Sequence, residues 1–124
     1  MDWTTTLNSN TMLISAMARD SASGAMAVAS AEILLLSPTD YGVPEDVDPA
    51  LVFRFSRVKA QPKGQGGGSA VLRAALEESD RRDLWMVLEA SPYPGQDFDA
   101  LCAFYAHHGF QHGPERGLMF RPPA

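Results

Sequence analysis

The sequence predicts an α/β domain with a mixed, mostly antiparallel central sheet and flanking helices. Three observations carry that prediction. Short apolar runs of strand length occur at 12–36, 51–60 and 84–90. Two amphipathic stretches of helical period appear only after residue 68. Between the third strand and the first helix lies "QPKGQGGGSA", Gln61–Ala70, with four glycines in ten residues. At 124 residues and 45% apolar content, the chain is expected to form one folded domain, 1–124.

The elements follow in order. "TMLISAMAR" and "AMAVASAEILLL" flank "DSASG", whose Asp, Ser and Gly favour chain reversal, so 12–36 reads as a hairpin. Its alanines and methionines would also tolerate helix. "SPTDYGVPEDVDPA" (37–50) holds three prolines and four acids and reads as an exposed loop. In "LVFRFSRVKA", Leu51, Phe53 and Phe55 alternate with Arg54 and Ser56, the pattern of a strand with one buried face. Val71, Leu72, Ala75 and Leu76 then form a helical stripe, with Arg73, Glu77, Asp80 and Arg81 facing water. "LWMVLEA" (84–90) reads as a central strand. "DFDALCAFYAHHGF" reads as a helix with Asp97 as N-cap, Gly109 as C-cap, and Phe98, Leu101, Cys102 and Tyr105 on one face. "GLMFRP" is the closing strand, giving the order β-β-β-α-β-α-β.

Charge and cysteine content narrow the function. The net charge is −5 and unevenly spread: residues 1–50 hold seven acids against Arg19 alone. From Arg54 to Arg73 the chain carries Arg54, Arg57, Lys59, Lys63 and Arg73 and no acid. That pattern disfavours bulk nucleic-acid binding, which wants an extended basic face, and suits a small polyanion. Cys102 is the single cysteine, so an internal disulfide and a cysteine metal cluster are excluded. His107, His108 and His112 lack a matching carboxylate pattern, and no metal site is expected. "MDWTTTLNSN" has no basic region before an apolar run, and "GAMAVASAEILLL" is too short to span a bilayer. The expectation is a cytoplasmic domain without membrane contact.

The glycine stretch has several readings. A flexible linker would separate domains, but regular elements abut both ends here. A strand feeding a glycine loop that opens a helix is an anion-binding geometry: free N–H groups converge and no side chain blocks the approach. No Lys-Ser/Thr pair follows these glycines, as a P-loop requires. A dinucleotide loop would want a third glycine where Ser69 stands, although Glu89 could mimic its ribose-binding acid. Gln61, Gly64 and Gly66 form Q-x-x-G-x-G, which resembles the acetyl-CoA loop of the GNAT acetyltransferase superfamily. "LWMVLEA" lies where that family's fifth strand lies, "FYAHHGF" is similar to its "YxxxGF", and "ERGLMFRP" to its last strand. The resemblance spans roughly 51–122.

The resemblance implies a GNAT-like fold with its N-terminal helices reduced or missing, as in compact, partly phage-encoded members of the superfamily. It implies acetyl-CoA as cosubstrate. The backbone of Val58 and its neighbours would pair with the pantetheine arm, and Lys63, Gly64, Gln65, Gly66 and Gly67 would hold the pyrophosphate. Lys59, Lys63 or Arg73 would neutralise outer phosphates. Tyr105, matching the tyrosine of "YxxxGF", takes the general-acid role; a phenol is protonated at neutral pH and can donate to the departing thiolate. No carboxylate lies in 51–60, where some members keep a base. Glu89 and Glu32 are the internal candidates, and a water relay would need neither. Cys102, at mid-helix, reads as core. The expected activity is N-acetylation of a primary amine, a protein lysine among the acceptors, favoured by the acidic first half. The alternative is a catalytically silent GNAT-like module acting through protein contacts. A homodimer is a possible assembly of either.

Overall fold

The computed structural model describes residues 3–9, 14–32, 37–61, 66–92 and 94–124. In chain order its elements are β1 (Trp3–Ser9), β2 (Ile14–Asp20), β3 (Met26–Glu32), β4 (Val52–Gln61), α1 (Gly67–Arg81), β5 (Trp85–Glu89), α2 (Phe98–His107), β6 (Gln111–His112) and β7 (Leu118–Arg121). The fold is mixed α/β, and both described α-helices lie after residue 66. The N-terminal part is therefore strands, as expected, with β1 added to the anticipated hairpin of β2 and β3.

The chain divides into two compact units with interleaved segments: Met1–Ile33 with Phe55–Arg82, and Leu34–Arg54 with Asp83–Ala124. In the first, the strand order is β1-β2-β3-β4, and β1, β2 and β3 pair antiparallel. Alternation puts Ala16 and Ala18 of β2 and Ala27 of β3 on the buried face, with Ala25 just before β3. These small residues let α1 settle closely on β1, β2 and β3. The helix meets them with Val71, Leu72, Ala75 and Leu76, the stripe read from the sequence. Glu78 is also buried; its carboxylate accepts from Arg82 Nε at 2.7 Å and pairs with Arg81, so its charge is compensated. Asp20, fully buried, accepts from Ala22 N and Ser23 Oγ and fixes the β2–β3 turn.

In the second unit the order is β4-β5-β7-β6. β4 and β5 run parallel through Val52↔Trp85, Phe53↔Met86 and Arg54↔Val87, while β5–β7 and β6–β7 are antiparallel. These registers sort the side chains. Val52, Arg54, Trp85, Val87, Glu89, Leu118 and Phe120 share one face; Phe53, Met86, Leu88, Met119 and Arg121 share the other.

The segment 37–50 departs from the exposed loop expected for it. Two 3-10 turns, Pro38–Tyr41 and Pro49–Leu51, fold it back, each with proline at its start. Tyr41 and Val43 are buried and form a core cluster with Val52, Val87 and Leu118. Leu51, expected to be buried, is instead exposed, because Asp48 caps the second turn and β4 begins one residue later. Val52 and Phe55 are both buried, so both faces of this central strand are covered rather than one.

Candidate functional site

The glycine turn belongs to the first unit. Gly66 is the residue preceding α1, with φ of 82°, a left-handed conformation that glycine adopts without cost. Ala70 N donates to Gly66 O at 3.1 Å, the first bond of the helix. No side chain caps this N-terminus, and its first turn contains no acid. The first N–H groups of α1 have no helix-internal acceptor, and among the described residues no N-cap side chain meets them, beside the positive end of a 15-residue helix. An anionic group such as pyrophosphate fits that donor set.

Gly67 has a second reason to be glycine. A Cβ there would lie 2.8 Å from the ring of Trp3 and 2.9 Å from Ala27 Cβ. The turn is thus pressed against β1 and β3, and Trp3 Nε1 lies 3.8 Å from where a Gly66 Cβ would stand. Gly67→Ala is expected to cost about 1–3 kcal/mol by overpacking, read as a lower denaturant midpoint. Sequence reasoning passed over Trp3; an indole at the head of a threonine run was its only signal. Of the remaining residues selected for acetyl-CoA, Val58, Lys59 and Gln61 are described only as β4 backbone. Lys63, Gly64 and Gln65 lie outside the described residues, as do the side chains of Arg57 and Glu32. Arg73 is exposed on α1.

Tyr105 lies in the second unit, and the local structure explains "YAHHGF" in full. Asp97 caps α2, accepting from Ala100 N at 3.3 Å. At the other end Gly109 takes φ of 95°, its N–H donates to Ala106 O, and Phe110 N donates to Tyr105 O at 3.2 Å. This is a Schellman-type stop, in which the residue after the glycine packs back on the helix. Here Phe110 does so, edge-on to Tyr105 at 5.8 Å between centroids. Arg121 Nε donates to His108 O at 3.1 Å, holding this end of α2 on the Arg121 face of the sheet. Tyr105 is therefore fixed in position by backbone geometry, with Phe104 on its other side.

Burial, with a smaller push from Cys102, raises the Tyr105 phenol above its usual range, so it keeps its proton at neutral pH. Cys102 is buried, and burial with help from Asp99 raises its thiol, the opposite of what a nucleophile requires. It is core, as expected. Glu89 stands at the exposed end of β5, on the face covered by the 37–50 segment. The sheet thus separates Glu89 from the α2 end that carries Tyr105. Near Glu89 are Tyr41 and Arg54. Burial is the main cause raising the Tyr41 phenol, Arg54 opposes it, and Glu89 and Asp40 add to it. Arg54 Nε is buried and has no hydrogen-bond partner among the described residues. His107 and His112 are exposed, and His107 meets His108 edge-on. His112 lies in β6. Among the described residues no group of three or more His, Cys, Asp or Glu could hold a metal, and no helix is long and apolar enough to cross a membrane.

The two raised phenols set a pH dependence. The folded state favours their neutral forms, while in the unfolded chain they ionise near pH 10. Their contribution to stability is complete below that value and is lost as pH rises through the folded-state values. The urea midpoint is expected to fall above about pH 10, and less steeply in Tyr105→Phe.

No family model and no curated protein matches the chain. Among solved structures, it is similar to the crystal structure of anti-CRISPR protein AcrVA5, at a TM-score of 0.50 and 16% identity. The match covers 94% of this chain and 96% of that one, so the likeness is one of whole fold.

Proposed function

We propose that the chain is an acetyl-CoA-dependent N-acetyltransferase of GNAT type whose acceptor is an amine on another protein, a lysine side chain. The observation that carries this reading is the start of α1: a left-handed glycine, no acid in the first turn and, among the described residues, no N-cap side chain, on the helix that follows β4 in the chain. That donor set suits the pyrophosphate of acetyl-CoA. The likeness to an anti-CRISPR protein supports a protein partner and fits the second reading, below, better than it fits catalysis.

In this reaction a neutral lysine amine attacks the thioester carbonyl carbon, forming the C–N bond. The tetrahedral intermediate collapses with cleavage of the C–S bond. By the resemblance of "FYAHHGF" to the family's "YxxxGF", Tyr105 is the residue assigned to donate its phenolic proton to the leaving thiolate, with reprotonation from solvent. The proton released by the amine passes to water, because Glu89 lies on the other face of the sheet from Tyr105.

A second reading is a catalytically silent module acting through protein contacts. Three observations favour it: the likeness to an anti-CRISPR protein, the lack of a carboxylate in Val52–Gln61, and the position of Tyr105, already accounted for by the helix stop. Incubation with acetyl-CoA and a cell lysate, followed by mapping of acetylated lysines, separates the two. New acetyl-lysines above a no-protein control support the enzyme; their absence, with acetyl-CoA bound, supports the module.

A further inference from the structure

We propose that β1 is a self-association edge, through which two copies of the chain join their sheets by pairing β1 antiparallel to β1 about a twofold axis at Thr6. β1 stands first in the strand order, so β2 satisfies one side of its backbone and no described strand lies on the other. Exposed edges of this length are usually guarded by charge, proline, a bulge or a covering element. Trp3–Ser9 has no charged residue, proline or glycine, and its register with β2 runs unbroken from Trp3↔Asp20 to Ser9↔Ile14.

The strand's own sequence favours a second copy as the occupant. Antiparallel self-pairing centred on Thr6 sets Trp3 opposite Ser9, Thr4 opposite Asn8 and Thr5 opposite Leu7. A twofold axis brings each residue near the axis close to its own copy, where a charge would meet itself; here none does. Thr6 opposite Thr6 is a favourable β-branched pair. Met17 and Val28 are cross-strand partners, 44% and 38% exposed, and the ladder places them on the same face as Thr6. A twofold axis normal to the sheet keeps that face on one side of the joined sheet, so both Met17–Val28 pairs flank the seam. The net charge of −5 on each copy opposes association at long range, so added salt tightens the dimer.

Sedimentation equilibrium of the full chain tests this, with Thr6→Lys as the disrupting variant. Thr6 is exposed, so the fold tolerates lysine while two ammonium groups meet at the axis. A concentration-dependent dimer is expected, weakened at least about tenfold by Thr6→Lys, like-charge opposition across a ladder being destabilising. Independently, Thr6→Cys oxidises to a disulfide-linked dimer, because directly opposed Cα atoms lie about 4.5–5.5 Å apart, within disulfide reach. Met17→Cys, one strand farther from the seam, does not. A chain that is monomeric at all concentrations, or a dimer indifferent to Thr6→Lys and not cross-linked through Thr6→Cys, overturns the proposal.

Discussion

Tyr105→Phe is expected to lower the rate of amine acetylation by about 10²–10⁴-fold, the usual contribution of a positioned general acid, while leaving acetyl-CoA binding and the fold intact. The substitution removes one hydroxyl and keeps the ring that packs edge-on against Phe104 and Phe110. The backbone bonds that end α2, from Phe110 N to Tyr105 O and Gly109 N to Ala106 O, do not involve the side chain. Stability at neutral pH should therefore change little, and a loss of turnover reads as loss of the proton donor. Burial raises the Tyr105 phenol, so it is protonated at neutral pH. Single-turnover kinetics on a lysine substrate, with circular dichroism as the control for folding, measure the effect. Turnover equal to that of the wild type would remove Tyr105 from the acid role and leave it as the packing residue of a helix stop.

The largest expected stability effect lies away from any catalytic group. Gly113→Ala should destabilise the chain by about 3 kcal/mol, the upper part of the range for overpacking, and lower Tm by about 10 °C. A Cβ at this position would overlap Tyr41 O, and would lie 2.7 Å from the Tyr41 carbonyl carbon and 2.9 Å from Leu118 O. All three are backbone atoms, so no rotamer change relieves the clash. Leu118 O is also the acceptor for Gly113 N at 2.8 Å, so moving either strand breaks a ladder bond. The displaced element would be the Pro38–Tyr41 turn, which carries buried Tyr41 into the core cluster with Val52, Val87 and Leu118. Differential scanning calorimetry reads the shift.

How far the sequence reaches depends on which physical signal an element uses. α1, β5 and α2 were legible because their apolar spacing, the Asp97 cap and the left-handed Gly109 are local signals that tertiary context leaves unchanged. β1 was not: Thr4, Thr5 and Thr6 are all exposed, so there is no alternation to read. In 37–50 the prolines and acids masked Tyr41, Val43 and Val47, whose role depends on distant partners such as Val87 and Leu118. Leu51 shows how one residue of offset inverts a face: the cap by Asp48 holds it in a turn and passes the buried position to Val52. For the candidate site, the sequence identified the strand–glycine–helix setting and the position of Tyr105. It did not reveal that Gly67 is held against Trp3 and Ala27, or that Glu89 and the Tyr105 end of α2 lie on opposite faces of a sheet. Both are facts of strand register, which no local pattern encodes.

In the proposed function the glycine start of α1 receives the pyrophosphate of acetyl-CoA. Thermal unfolding of the full chain with increasing acetyl-CoA tests it most directly. Binding to the folded state should stabilise the chain by about 2.7 kcal/mol at a hundredfold excess over Kd, and Gly66→Glu, which places a carboxylate at those N–H groups, should abolish the shift measured against its own baseline. No shift at millimolar acetyl-CoA, or an undiminished shift in Gly66→Glu, would contradict it.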